Sequence, residues 1–370
     1  MTSRRQMLAT IGQSAAAAAL LPLRVRAADS LVPLRRTLVP VIVDEARIIR
    51  TVVGLRPFRR NGFALSATRL GEKRLVHNYG HGGGGITLSW GCATLAADLV
   101  TGVASRDAAV LGCGVIGLST ARILQERGFN VTIYAQAIPP NTTSNIAGGQ
   151  WAPTAVFADT DVTPAFRAVF QKAAEIAYRR FELMAGARYG VRWIDNYDLT
   201  MRADQTGQYG TEVREGVALF ADVARIDPAS TPFTAPYVRR FASMLIEPNT
   251  YLPAMLEDFY IAGGRIEVKR FSEVREIAHL PHHTIVNCTG LGSHELFGDQ
   301  DLYPIRGQLT VLEPQPDVDY IVVAPGPSYM FPRSDGIIVG GTFEAHDWSI
   351  KPDPQTVHDE LAALRALYRS

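Results

Sequence analysis

The feature that most constrains this chain is the hexapeptide Gly112-Cys113-Gly114-Val115-Ile116-Gly117. It follows Ala108-Ala109-Val110-Leu111, which reads as a buried strand, and it opens an apolar-periodic stretch over 117–127 that Gly128 stops. Asn130-Val131-Thr132-Ile133-Tyr134 then reads as the next strand, so the three pieces form a βαβ unit of the expected length. In that setting each glycine has a task. Gly112 permits the tight turn, Gly114 lets the backbone approach a pyrophosphate, and Gly117 brings helix against strand. Backbone N–H groups at the start of the helix, Val115 and Ile116 among them, then hold phosphate with the help of the helix dipole. The spacing implies a dinucleotide but does not distinguish NAD from FAD. The acid usual at the end of the second strand is missing; Gln136 stands there, so ribose recognition falls to an amide or to backbone.

Bulk properties exclude several other classes. With 370 residues, 47% of them hydrophobic, the chain can bury one large core or two moderate ones. Its net charge of +1 offers no basic face for nucleic acid. Three cysteines, Cys92, Cys113 and Cys288, make neither a disulfide framework nor a metal-ligand pattern. No 20–50-residue period signals a repeat architecture. The N-terminus reads differently from the rest. Arg4-Arg5 precedes an alanine-rich apolar stretch over 7–23, followed by Arg24, Arg26 and a small-residue site at Ala27. This pattern implies a twin-arginine export signal over residues 1–28 and a periplasmic or secreted protein. The stretch is too short and too flanked by charge for a membrane span, and no other segment is long and apolar enough for one.

The remaining periodicities place further elements. Strands are expected over 39–43, 48–53, 75–79, 264–268 and 284–288, and helices over 89–100, 164–184, 251–261 and 359–368. Residues 307–343 alternate β-branched runs with turn residues and read as antiparallel sheet. Parallel βαβ and antiparallel segments in one chain imply an α/β fold of two interleaved domains.

Several longer motifs carry a family resemblance. Val110 to Pro153 includes the glycine hexapeptide, then Thr142-Thr143-Ser144-Asn145-Ile146-Ala147-Gly148-Gly149, then Trp151 and Pro153. Further on stand Asn287-Cys288-Thr289-Gly290, Arg306-Gly307-Gln308, Tyr329-Met330-Phe331-Pro332 and Gly340-Gly341-Thr342-Phe343. Together they resemble the D-amino-acid oxidase family. The family's closing segments, Gly54-Leu55-Arg56-Pro57-Phe58-Arg59 and His77-Asn78-Tyr79-Gly80-His81-Gly82-Gly83 with Thr87 and Trp90-Gly91-Cys92-Ala93, come first in this chain. It therefore looks like a circular permutant, with the family's last helix running into its first strand through 101–105. Such a cut is tolerable because domain ends usually lie close together at the surface.

The resemblance implies FAD as cofactor, in a Rossmann-type domain with a parallel sheet (residues 55–156 with 244–300). A substrate domain of mainly antiparallel sheet would comprise 31–54, 157–243 and 301–370. It implies cofactor contacts from Gly112, Gly114, Val115, Ile116, Gly117, Thr142, Thr143, Ser144, Gly148, Gly149, Val268 and Thr289. The glycine loop adds Gly82, Gly84, Gly85, Ile86 and Thr87, and the helix beyond Thr87 directs its positive end at the ring. Arg56 matches the residue that grips the substrate carboxylate, Tyr329 the tyrosine that reaches the same group, and Gly83 the backbone acceptor for the substrate amine. A guanidinium fork fits a carboxylate bidentately.

The implied reaction is oxidative deamination of a D-amino acid, with O2 as acceptor, to a 2-oxo acid, ammonia and hydrogen peroxide. Alternatives with the same fold are oxidation of glycine or an N-alkyl amino acid, a dehydrogenase passing electrons to a carrier, and a non-catalytic amino-acid binder. His77 and His81, four apart, lie on a strand and a loop without a third ligand, so no metal is expected. The chain departs from the family at three places. A second active-site tyrosine falls on Pro325, a glutamine falls on Ala152, and the stretch between Gln308 and Tyr329 is short for a lid. A smaller lid implies a more open pocket.

Overall fold

The computed structural model describes residues 31–103, 105–202, 219–325 and 328–369. The export signal expected over 1–28 lies outside the described residues. Two sheets organise the rest. The smaller has six strands in the order Ala64–Leu70, Lys73–Tyr79, Thr284–Asn287, Asp107–Leu111, Asn130–Ala135, Arg265–Val268. All its neighbours pair in parallel except the first two. A strand covered on both faces must be apolar throughout, and the central strand is buried from Ala108 to Leu111.

The larger sheet has nine strands. Its path runs Ile48–Arg59, Leu302–Leu312, Gly336–Gly340, Tyr329–Arg333, Tyr320–Val323, Val191–Thr200, Tyr237–Ile246, Ala221–Ile226, and Glu344–Ala345 pairs with Leu302–Leu312 off that path. Every pair along it is antiparallel except Tyr320–Val323 with Val191–Thr200. The expected α/β class with one parallel and one mainly antiparallel sheet is what the chain forms.

Two helices pack on the parallel sheet and a third lies over one of them. Gly85–Asp98 and Val115–Glu126 lie against each other, and Pro164–Leu183 covers the first. Gly91 explains how closely: a Cβ there would lie 1.8 Å from the carbonyl oxygen of Ala173. Pro164–Leu183 starts where its local chemistry says it should. Thr163 caps it, accepting from the Phe166 N–H, and Pro164 occupies the first turn, where its missing N–H costs nothing.

Several expected boundaries moved. Residues 39–43 form no strand. The division expected between 54 and 55 falls inside one strand, Ile48–Arg59, which pairs with Leu302–Leu312 from end to end and so belongs wholly to the large sheet. The helix expected from 89 begins at Gly85, whose backbone is already helical (φ −58, ψ −47) at the end of the glycine loop. Strands Ala64–Leu70, Val191–Thr200 and Tyr237–Ile246 carry mixed burial patterns that hid them from a search for strict alternation.

The two described ends of the chain meet. Arg365 donates to the carbonyl of Val43 at 2.9 Å, and the Tyr320 hydroxyl donates to the carbonyl of Val39 at 2.7 Å and lies 3.2 Å from the Tyr368 hydroxyl. Leu38, Val41, Leu361 and Leu364 share one buried cluster.

Candidate functional site

The two sheets come together around one large cavity, about 1770 Å³. That exceeds the 300–1,000 Å³ usual for a single drug-sized ligand. A dinucleotide and a substrate together would need such room.

One end is the glycine turn. Gly112 has φ +104, and a Cβ on it would lie 2.5 Å from the Cys288 carbonyl oxygen. A Cβ on Gly117 would lie 2.0 Å from the Gly112 carbonyl oxygen, so Gly117 packs the turn and does not itself line the cavity. Gly114 stands at the N-cap of Val115–Glu126 and Gly84 at that of Gly85–Asp98, so neither helix has a side-chain cap. Two helix N-termini that border the cavity, neither capped by its own N-cap residue, suit an anionic ligand. Ser144 closes the first, its Oγ accepting from the Val115 N–H at 2.9 Å. Cβ atoms on Gly85 and Gly290 would meet nothing within 4 Å, which leaves open space where the backbone borders the cavity. The residues present therefore fit a flavin dinucleotide.

The cavity lining includes Gly82, Gly83, Gly85, Ile86, Thr87, Gly112, Gly114, Val115, Ile116, Thr142, Thr143, Ser144, Gly148, Gly149 and Thr289. Gln136 lines it as well, at the end of the second strand. Besides Gly117, two expected cofactor residues do not. Gly84 is turned toward Val156, whose Cγ2 a Cβ would approach to 2.6 Å. Val268 points outward and is 73% exposed, while its neighbours Lys269 and Arg270 line the cavity.

Asn287, which ends the strand Thr284–Asn287, shapes the turn that follows it. Its Oδ1 accepts from the Thr289 N–H at 3.1 Å and the Thr289 hydroxyl at 2.8 Å, and its Nδ2 donates to Ser293 at 3.0 Å. His77 faces the same Asn287 amide, whereas His81 is buried and stacks on Phe63 at 4.9 Å. Burial pushes the His81 imidazole down to about 3, so it is neutral at any ordinary pH.

The other end of the cavity belongs to the large sheet. Arg56 extends across Gly307, where a Cβ would lie 2.4 Å from the guanidinium; glycine is required for the crossing. Arg56 Nη1 donates to the Thr342 carbonyl at 3.1 Å, and the guanidinium lies 5.4 Å from the centre of the Phe343 ring. Among the described residues no carboxylate pairs with it. A cation held by neutral carbonyls inside a cavity is poised for an anion from outside. Tyr329 stands beside it, stacked on Phe331 at 4.6 Å. Burial raises its hydroxyl above the ordinary tyrosine value, with Arg56 opposing that shift, so the hydroxyl stays protonated and can donate. Arg56, Tyr329 and Gly83, expected together from distant parts of the chain, line the same cavity.

The chain is similar to known proteins over most of its length. The model of the family described as FAD dependent oxidoreductase matches residues 9–99 and 107–370. A D-amino-acid oxidase of Rubrobacter xylanophilus is 32% identical over 268 residues, covering 70% of this chain and 76% of that protein. One of Streptomyces coelicolor is 31% identical over 277 residues, covering 70% and 78%. Among solved structures, glycine oxidase of Geobacillus kaustophilus shares the fold with a TM-score of 0.54 at 16% identity, covering 71% of this chain and 78% of that one.

Proposed function

Because the chain belongs to the FAD-dependent oxidoreductase family, we propose that it is an FAD enzyme that oxidatively deaminates D-amino acids, with O2 as the electron acceptor. The observation that carries this reading is Arg56: a guanidinium without a carboxylate partner among the described residues, beside protonated Tyr329, in the cavity that also holds the dinucleotide cradle. FAD, held by the glycine turn at Gly112–Gly117 and the loop before Gly85–Asp98, would supply the redox chemistry, that of hydride acceptance from the substrate α-carbon with O2 as final electron acceptor. The substrate thereby becomes an imine, which water hydrolyses to a 2-oxo acid and ammonia, while O2 becomes hydrogen peroxide.

The chain's own contribution is binding and orientation. Arg56 takes the substrate carboxylate through its fork, and Tyr329 donates a second hydrogen bond to it. The Gly83 backbone offers an acceptor for the amine, so two points fix the amino acid and a third direction is left for its α-hydrogen. Buried Phe331 and half-buried Tyr329 limit the water that can compete for the carboxylate. The purified holoprotein, mixed anaerobically with D- and L-amino acids, glycine and sarcosine, tests the reading. Bleaching of the flavin by D-amino acids, with peroxide formed when air is admitted, is expected. Bleaching by glycine or L-amino acids alone would overturn it.

Two further readings accompany this one. The export signal over 1–28 places the enzyme in the periplasm or outside the cell; replacing Arg4 and Arg5 by lysine should stop export, and undiminished export would contradict the assignment. Circular permutation is supported by the two blocks of the family match, whose gap at 100–106 falls on the connector, and by the meeting of the described ends. Joining those ends by a short linker and reopening the chain within 101–105 should yield a flavoprotein of similar activity. A folded product unable to bind FAD would count against it.

A further inference from the structure

The cavity has one wall that the binding of carboxylate, amine and dinucleotide does not use. It is the segment from Phe343 to Asp353, which follows the strand Gly336–Gly340, pairs with the large sheet only through Glu344–Ala345 and runs along the cavity to the last helix, Pro354–Ala366. Four residues of this segment line the cavity, Phe343, Trp348, Ile350 and Pro352, and all four are apolar. The first three are 54%, 52% and 69% exposed, although the strands beneath them are buried. Large apolar side chains left facing a cavity gain by covering another apolar group.

The segment has almost no regular structure of its own, yet two side chains hold it in place. Arg306, 3% exposed, donates to the carbonyls of Ser349 at 3.1 Å and Lys351 at 2.7 Å and pairs with Glu344. Gln308, fully buried, donates to the Asp353 carbonyl at 2.8 Å and accepts from the Asp353 N–H at 2.7 Å. Arg306 also donates to Gln308 at 3.2 Å, so the two act as one clamp. Both flank Gly307, over which Arg56 passes. The same three residues therefore set the place of the carboxylate anchor and of the apolar wall, and Phe343, against the Arg56 guanidinium, joins one to the other.

We propose that this clamped segment reads the substrate side chain, with Trp348 and Ile350 as specificity-determining residues and Arg306 and Gln308 as positioning residues. The inference rests on the amino-acid reading of the site. A substrate whose carboxylate lies on Arg56 can direct its side chain along Phe343 toward Trp348 and Ile350. Aromatic and large aliphatic D-amino acids fill that wall; D-Ala does not reach it. An acidic side chain directed to this wall meets no cation, since none of the four lining residues of the segment carries charge.

The test uses the holoenzyme and its Trp348→Ala, Ile350→Ala and Gln308→Ala variants, with flavin absorbance confirming bound FAD, on D-Phe, D-Leu, D-Ala and D-Asp. The wild type should favour D-Phe and D-Leu. In Trp348→Ala the ratio of kcat/KM for D-Phe to that for D-Ala should fall about 10- to 100-fold, the range a lost apolar contact gives, and in Ile350→Ala the corresponding ratio for D-Leu should fall. Gln308→Ala should raise KM for D-Phe more than it lowers kcat, because it loosens the wall without touching reacting atoms. Ratios unchanged within about twofold in both alanine variants would overturn the proposal; so would a wild type that favours D-Asp. A wild type bleached by no amino acid sinks the underlying reading instead, and is seen before any variant is made.

Discussion

Arg56→Ala is expected to lower kcat/KM for the best D-amino acid by about 30- to 1000-fold, the loss of about 2–4 kcal/mol that a charged, partly desolvated hydrogen-bonded pair supplies. Most of this should appear in KM, because the carboxylate contact exists in both the bound substrate and the transition state. A smaller drop in kcat should follow from looser orientation. FAD should remain bound, since the contacts of Arg56 run to the Thr342 carbonyl and the Phe343 ring and not to the glycine turn. Arg56→Lys should fall between the two, keeping the charge but losing the fork. Steady-state kinetics with a flavin spectrum on each preparation checks all of this. An unchanged KM would remove Arg56 from the role of carboxylate anchor.

Gly117→Val is expected to abolish stable FAD binding. The first atom added, Cβ, would lie 2.0 Å from the Gly112 carbonyl oxygen and 2.8 Å from its carbonyl carbon, and both belong to backbone that cannot swing aside. The turn must open, so the start of Val115–Glu126 moves away from the strand and no longer presents its N–H groups to a pyrophosphate. The protein should purify colourless, with FAD affinity reduced at least about 100-fold, and with some loss of stability because overpacking typically costs about 1–3 kcal/mol. Gly114→Ala serves as the milder comparison. Its Cβ would lie 3.1 Å from Ser144 Oγ, a side-chain atom, so partial binding should survive. Far-UV circular dichroism separates an unfolded chain from a folded one without cofactor. A yellow, stoichiometric Gly117→Val protein would show that the turn is not the pyrophosphate site.

These two outcomes also show what kind of information the residues carried. The glycine turn was legible because its constraints are local. Gly112, Gly114 and Gly117 act within a few residues of one another, and the flanking strand and helix announce themselves by periodicity. Arg56 and Tyr329 were legible only through resemblance, since an isolated arginine or tyrosine has no spacing to betray its role. Gly84 and Val268 were expected to touch the cofactor. Their side-chain directions depend on which face a loop or strand turns inward, which no short motif encodes. The clamp on 343–353 was not legible at all. Arg306 and Gln308 stood in a motif, yet their partners are backbone carbonyls and an N–H more than forty residues away.

The sequence by itself determined the class of the fold, the βαβ unit and the demand for a dinucleotide, because glycine and hydrophobic periodicity act on neighbours. It also determined that the centre of the small sheet must be buried, through uninterrupted runs such as Ala108 to Leu111. Tertiary structure alone decided that Ile48–Arg59 is one strand of the large sheet, and that Arg56 crosses Gly307 to reach the cavity. It alone decided, too, that an irregular segment forms the cavity's apolar wall. Those outcomes depend on pairings between residues about 250 positions apart in the first two cases and about forty in the third. Nothing along the chain can specify such a pairing until the sheet has brought both partners to the same place.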